Sequence, residues 1–207
     1  MLQKKIDKGT EQRILQSAKK IFHKKGLGGS RMQEIADNAG INKAMLHYYF
    51  RSKDKLFDAV FEDALKDFLP KVNELLNAEL PLFEKIEHFV ENYISILLEN
   101  IYLPSFIIYE INQNPEKLTS LLKNKKDLHT EIFKRQINDA VKKKLIDPID
   151  PVQLIINMIA MCIFPVIWKP IIMKIFGMSE KAFIEFIKLR KKEIPRFIIN
   201  SIKKSVK

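Results

Sequence analysis

A cation and two apolar groups stand together near the N-terminus: Lys43, Ala44 and Met45, directly after Asn42. At the start of a helix in a DNA major groove, lysine can reach a guanine or a phosphate, and alanine or methionine can contact a thymine methyl. Phosphates, which fix the register of a protein on DNA without carrying sequence information, could be held by Ser30, His47, Tyr48 and Lys53. The residues predicted to contact DNA are Ser30, Arg31, Gln33, Asn42, Lys43, Ala44, Met45, His47, Tyr48 and Lys53.

Two short helices with a tight joint are predicted to position these side chains. Ser30 and Gln33 have the spacing of a capping box, which would start the first helix. Gly40 suits the left-handed position that ends it, because glycine meets no steric cost at positive φ. Asn42 would cap the second helix, Lys43 to about Tyr49.

The packing between these helices favours a helix-turn-helix. Leu46 would fill the wedge between the small residues Ala36 and Gly40, with Lys43–Tyr49 presented to the major groove. The alternative is an ordinary helical hairpin, since small residues at this spacing are common. The exposed face of the second helix, which carries Lys43, Ala44, His47 and Tyr48, favours the DNA-binding reading.

The run GGSRMQEIADNAGINKAMLHYYFRSKDKLF, Gly28 to Phe57, resembles the N-terminal domain of the tetracycline-repressor (TetR) family. The resemblance covers roughly residues 10 to 65. One departure is His47, where the family usually has tyrosine. The matching features are Ile35-Ala36, Ala39-Gly40-Ile41, Leu46, Tyr48-Tyr49-Phe50, Ser52-Lys53 and Leu56-Phe57.

This resemblance implies a ligand-responsive repressor that binds a pseudo-palindromic, double-stranded operator as a homodimer. The family's dimer contact corresponds to residues 154–164 and 183–202. The apolar stripe of residues 183–202 consists of Phe183, Phe186, Ile187, Ile194, Phe197, Ile198 and Ile202. The resemblance also implies a pocket for an unknown small-molecule effector, in which Glu110 could pair with a cationic ligand or could equally face water. Candidate pocket residues are Phe89, Tyr93, Phe106, Tyr109, Glu110, Gln136 and Met161.

Charge is distributed unevenly along the 207 residues. The net charge is +7 over residues 1–60, −3 over 61–187 and +7 over 188–207. A basic N-terminal region (residues 1–60) next to a nearly neutral region (residues 61–187) suits phosphate binding by the N-terminal region. The basic C-terminal end is read as a solvated helix end rather than a second nucleic-acid site.

Enzymatic and metal chemistry are not expected. The four histidines show no zinc-ligand spacing, and no nucleophile elbow or phosphate-binding glycine loop occurs. The sequence therefore predicts no enzyme, no cofactor and no metal. The single Cys162 excludes an intrachain disulfide and suits a reducing compartment.

The fold class is predicted to be all-α, with about nine helices in two domains, residues 1–50 and 51–207. Thr10 is predicted to cap the first helix and Ser52 the fourth. Proline is predicted to separate or bend the later helices, at Pro70, Pro165, Pro170 and Pro195. Asn114-Pro115 should start a helix that runs towards Lys144.

No membrane span is expected. The most apolar run, Leu154 to Trp168, is 15 residues long and includes Asn157 and Pro165, whereas a spanning helix needs about 20 residues. With no apolar signal segment after the charged N-terminus, we expect a cytoplasmic protein. Two alternatives remain open: a helical small-molecule-binding protein without DNA activity, and a membrane-associated helical protein.

Overall fold

The computed structural model describes residues 7–116 and 130–204. Within these ranges the chain is helical, with no strand, in line with the predicted all-α class. Ten helices are defined there: α1 (Lys8–Lys25), α2 (Met32–Ala39), α3 (Lys43–Tyr49), α4 (Lys53–Asn77), α5 (Leu82–Glu99), α6 (Leu103–Gln113), α7 (Glu131–Lys142), α8 (Pro151–Ile167), α9 (Lys169–Ile175) and α10 (Glu180–Ile202).

Two compact units divide the chain. Unit 1 comprises Met1–Asp67 and Ser105–Leu121, and unit 2 comprises Phe68–Pro104 and Leu122–Lys207. This division differs from the domain boundary expected at residue 50. The first part of α4 groups with α1, because Phe57 packs edge-on against Phe22 with ring centroids 5.0 Å apart.

Unit 1 is held together by α1, which packs on α2, and α2 packs in turn on α3. Lys25 of α1 makes an ion pair with Glu34 of α2 at 2.6 Å. Lys19 lies 3.9 Å from a carboxylate oxygen of Asp63 and from one of Asp67, on α4. The helix-turn-helix is therefore fixed on a base formed by α1 and the start of α4.

Two of the predicted helix caps are wrong. Asp7, not Thr10, caps α1: its carboxylate accepts from the backbone N–H groups of Gly9 and Thr10, whereas Thr10 is buried inside the first turn. At α2 the N-cap residue is Arg31, with no side-chain cap. The predicted box fails because Ser30 donates its hydroxyl to the carbonyl of Gly26 at 2.5 Å.

Prolines interrupt the helices less than predicted. Pro70 lies inside α4, which continues to Asn77, and Pro165 and Pro195 lie inside α8 and α10. A proline removes one backbone donor, but the apolar residues beyond Pro70 are buried, and this burial favours a continued helix. The chain does break before Pro170: α8 and α9 meet at 71°.

The helix predicted from Asn114-Pro115 towards Lys144 falls largely outside the described residues. Pro115 and Glu116 are helical, and α7 begins at Glu131 after Thr130. The cap predicted at Ser52 is confirmed, because its hydroxyl oxygen accepts from the backbone N–H of Lys55 at 3.1 Å.

Unit 2 is built around α5, which packs against α7, α8 and α10. Its core contains Phe89, Phe133 and Phe183, all fully buried. Polar side chains cross between these helices. Lys191 of α10 donates to Ser95 Oγ of α5 at 2.7 Å, and Arg190 donates to the carbonyl of Met161 at 2.8 Å.

No single helix in the described part of the chain is long and apolar enough to cross a membrane. Two bent pairs of helices, α5 with α6 and α8 with α9, reach that length and hydropathy only when taken together.

His23 is expected to make the stability of unit 1 sensitive to acid. Its ring packs on Phe106 at 4.9 Å, and its Nε2 atom is buried without a hydrogen-bond partner. Burial, assisted by the positive charge of Lys19, lowers the pKa of His23 from 6.5 to about 4. The unfolded chain therefore takes up this proton first as the pH falls.

We expect the contribution of His23 to stability to be complete above pH 6.5 and to be lost as the pH falls from 6.5 to about 4. Allowing for partial exposure, the loss should be about 1–2 kcal/mol. Urea unfolding at pH 7.5 and pH 4.5 should show that His23→Gln removes this part of the acid sensitivity, and that His88→Gln, at an exposed histidine of unit 2, keeps it. Equal acid sensitivity in wild type and His23→Gln would contradict the assignment.

Candidate nucleic-acid interface

The joint between α2 and α3 has the predicted geometry. Gly40 ends α2 with φ 67° and ψ 35°, the left-handed conformation that glycine adopts without strain. Asn42 caps α3, and its Oδ1 accepts from the backbone N–H of Met45 at 2.7 Å. Leu46 is fully buried between the helices. The two helices therefore form a rigid turn that aims the N-terminal end of α3 outward.

The exposed side of α3 carries the residues predicted to read bases. Lys43, Ala44 and Met45 are all exposed at its first turn, and His47 and Tyr48 continue the same surface. Tyr48 is 61% exposed, and its ring lies edge-on to that of Tyr49 with the centroids 5.7 Å apart. Because α3 contains no acidic residue, this surface is suited to a polyanion.

The other predicted DNA contacts divide into exposed and internal groups. Arg31, Gln33 and Asn42 are exposed, although Gln33 also donates to Asp37 Oδ1 at 2.7 Å. Ser30 is only 4% exposed, and with its hydroxyl bound to Gly26 it cannot reach a phosphate in this conformation.

Lys53 has a structural role in addition to its predicted contact. Its Nζ donates to the carbonyl of Leu27 at 2.9 Å and lies 3.4 Å from that of Ser30. These bonds tie the start of α4 to the loop before α2. Replacing Lys53 would therefore disturb the loop as well as remove a positive charge.

Two exposed cations next to α3 were not among the predicted contacts. Arg51 follows α3, and its carbonyl oxygen lies 3.3 Å from Nδ1 of His47. Lys55 lies in the first turn of α4, and both side chains are exposed. The signal was available in the sequence, since both cations are within six residues of the C-terminal end of α3.

The residues predicted for a ligand pocket belong to different units. Phe106, Tyr109 and Glu110 belong to unit 1, whereas the other four belong to unit 2. Phe106 is packed among the rings of His23, Phe57 and Phe61 at 4.9–5.9 Å. This environment is that of a core residue.

The other pocket candidates in unit 1 differ from one another in exposure. Tyr109 is exposed, while Glu110 is buried. The carboxylate of Glu110 accepts from Asn114 Nδ2 at 2.9 Å, so it does not lie free at the surface.

In unit 2, Phe89 and Tyr93 are packed together with ring centroids 5.2 Å apart. Burial raises the pKa of Tyr93 far above its usual value. Met161 is half-buried, and its backbone carbonyl accepts from Arg190. Gln136 is the exception among the candidates, because it lines an open cleft.

An all-helical chain that carries an exposed, basic recognition helix on a helix-turn-helix is a DNA-binding transcriptional regulator by fold and site. Residues 14–60 match the family model described as bacterial regulatory proteins, tetR family. This match and the geometry of the helix-turn-helix support a TetR-family transcriptional regulator.

Individual relatives agree with this assignment. YhgD, an uncharacterized HTH-type transcriptional regulator of Bacillus subtilis, is 27% identical over 148 residues, 67% of this chain and 72% of YhgD. The HTH-type transcriptional repressor NicS of Pseudomonas putida is 42% identical over 59 residues, 28% of each chain. The transcriptional regulator FadR of Bacillus subtilis, in complex with stearoyl-CoA, shares the fold with a TM-score of 0.61 and 14% identity, over 93% of this chain and 99% of FadR.

Proposed function

We propose that this protein is a dimeric, ligand-responsive repressor that binds a pseudo-palindromic operator in the cytoplasm and is released from it by a small molecule. The observation that carries the DNA-binding part is the first turn of α3, where Lys43, Ala44 and Met45 are exposed behind the Asn42 cap. These are the groups that can reach base edges from the end of a recognition helix.

Two copies of the helix-turn-helix are needed for operator affinity. One helix of seven residues contacts only a few base pairs, whereas a two-fold dimer places two such helices on successive turns of the major groove. The excess of basic residues in the N-terminal region suits the phosphates of both half-sites.

The second copy is proposed to cover apolar side chains that the monomer leaves exposed in residues 154–164 and 183–202. In α8 these are Ile156 and Phe164, and in α10 they are Leu189 and Phe197. The aromatic pair Phe164 and Trp168, stacked at 5.2 Å, extends this exposed surface towards α9. A single soluble chain rarely leaves so many large apolar groups in water, so a copy of the same surface is a fitting cover.

Release by a ligand requires a path from unit 2 to the DNA-binding helices. Helix α4 is continuous from Lys53 to Asn77, and it contributes residues to both units. A ligand that binds the DNA-incompetent conformation better would shift this helix and lower operator affinity, and operator DNA would weaken ligand binding by the same factor. Such coupling is typically about 5- to 150-fold. The stearoyl-CoA complex of FadR supports the proposal that this fold can hold a small-molecule ligand.

A substitution at Lys43 tests whether α3 is the recognition helix. Lys43→Ala should change which operator is preferred or lower the affinity for the operator by about tenfold, because a lysine contact to a base or phosphate is worth roughly 1–3 kcal/mol. Fluorescence anisotropy with the selected operator and a scrambled duplex would measure this. Lys71→Ala, at an exposed lysine of unit 2, removes the same charge from outside unit 1 and should leave the affinity within about twofold. Equal losses in both variants would show that α3 has no special role.

The operator itself can be found by selecting fragments of the source genome on the purified protein. We expect enrichment of one or a few short inverted repeats with half-sites about one helical turn apart. Recovery of fragments without a shared sequence would contradict specific regulation. The genes next to an enriched site would also indicate the class of effector.

A further inference from the structure

A cleft in unit 2 contains a buried lysine that neither DNA binding nor dimerisation uses. Its volume is about 610 Å³, within the range of small-molecule sites. Lys85, on the first turn of α5, lies at its wall and is only 2% exposed.

Lys85 is an unusual buried cation. Its ammonium group lies 5.2 Å from the centre of the Phe133 ring. In the described part of the chain, no carboxylate lies within ion-pair distance of it and no acceptor takes its hydrogen bonds. The charge of Glu79 acts on it only from a distance, and burial lowers the pKa of its ammonium group. A cation held in this way gains most from an anion that enters the cleft.

Two amide oxygens in the same lining are also unsatisfied. Gln136 donates its Nε2 to the carbonyl of Leu80 at 2.7 Å, which leaves its Oε1 buried and without a donor. Asn77 donates its Nδ2 to the carbonyl of Asn73 at 2.7 Å, and its Oδ1 is unpaired in the same way. Because the donating nitrogens are fixed by carbonyl partners, neither amide pairs its oxygen within the described part of the chain, and a donor in the cleft is a fitting partner for both.

The remaining walls of the cleft are partly apolar: Leu80, Pro81, Leu82, Ile132 and Leu145. We propose that the cleft binds a small amphipathic anion, with one carboxylate or phosphate on Lys85, a neighbouring hydroxyl or N–H on the amide oxygens, and an apolar portion against these walls. The assignment of this cleft as the effector site rests on the proposed function. Binding of the anion to the cleft, however, is measured without DNA.

The experiment is calorimetric titration of the full-length protein with 3-hydroxyoctanoate, octanoate, octyl phosphate and octylammonium. Saturable binding of one anion per chain is expected, with 3-hydroxyoctanoate tighter than octanoate because only the former supplies a donor. Comparison of octanoate with octyl phosphate shows whether the head group is a carboxylate or a phosphate. Equal binding of octylammonium, or binding of none of the anions, would overturn the proposal.

Two variants locate the site. Lys85→Met keeps the apolar stem and should weaken anion binding by about tenfold or more, since a charge-assisted bond is lost. Lys71→Met, at an exposed lysine outside the cleft, should change the affinity by less than about twofold. Gln136→Leu should remove the preference for 3-hydroxyoctanoate over octanoate.

The outcomes separate this inference from the proposed function. Undiminished anion binding by Lys85→Met would place the ligand elsewhere and contradict the inference, whatever the protein does to DNA. Anion binding at Lys85 with no effect on operator affinity would preserve the site and reject it as the effector site. Unfolding temperatures of each variant without ligand show whether a loss of binding is a loss of fold.

Discussion

Phe197→Asp is expected to convert the protein from a dimer to a folded monomer, whereas Ile198→Asp should unfold it. The two residues are adjacent on α10, but Phe197 is 63% exposed and Ile198 is 2% exposed. A charge at Phe197 would enter the proposed dimer contact and raise the dimer dissociation constant by about 10²–10³-fold. A charge at Ile198 would lie in the monomer core and cost several kcal/mol, comparable with the roughly 5–15 kcal/mol of total stability.

Sedimentation velocity and circular dichroism distinguish these results. Phe197→Asp should keep its helical spectrum, halve the sedimenting mass and lose operator affinity. Tyr109→Asp adds the same charge at an exposed aromatic residue of unit 1 and should remain dimeric. A dimeric Phe197→Asp variant, or a monomeric wild type at micromolar concentration, would contradict the proposed interface.

Phe106→Ala should destabilise unit 1 by about 3–5 kcal/mol, the usual cost of removing a buried aromatic ring. Its ring lies against Phe57 at 5.0 Å and Phe61 at 5.9 Å, both on α4. The family resemblance implied that Phe106 lies in a ligand pocket, where its removal would leave unliganded DNA binding nearly unchanged. The packing instead predicts loss of DNA binding together with loss of stability.

Urea unfolding, monitored by helicity, measures this effect. Tyr109→Ala, three residues further along α6, removes an exposed ring and should cost less than about 0.5 kcal/mol. A Phe106→Ala variant as stable as the wild type, but unresponsive to an effector, would restore the pocket assignment.

The helix-turn-helix was predictable because its signals are local. The left-handed Gly40, the Asn42 cap and the buried Leu46 act within a few residues of one another, and each was recognised from type and spacing. The prediction that Ser30 caps α2 was wrong, although its signal is also local. Serine can bond to several nearby backbone groups, and sequence does not show that the carbonyl of Gly26 is the one that it meets.

Tertiary packing decided what local signals could not. The sequence of α10 shows one apolar stripe, but Ile194 and Ile198 face the core while Phe197 is exposed. Continuation of α4 beyond Pro70 likewise depends on burial of Val72, Leu75 and Leu76. These outcomes depend on partners distant in sequence, which periodicity alone does not identify.

The candidate sites show the same contrast. Exposure of α3 follows from its own amphipathic pattern, so the sequence was enough to predict which of its side chains lie at the surface. The grouping of Phe106 with Phe57 and His23 joins helices more than 40 residues apart. The burial of Lys85 was not predictable from the sequence, because a lysine on an amphipathic helix is normally exposed to solvent.

The most direct test of the central claim is the affinity of the wild-type protein for its selected operator, measured by fluorescence anisotropy from about 50 to 200 mM salt. For a dimer making 6–10 phosphate contacts, affinity should fall by about 10³–10⁵-fold over this range, linearly in logarithmic coordinates. At about 150 mM salt the operator should still bind at least about 10³-fold more tightly than a scrambled duplex. An affinity that is independent of salt and equal for both duplexes would contradict the assignment of this protein as an operator-binding regulator.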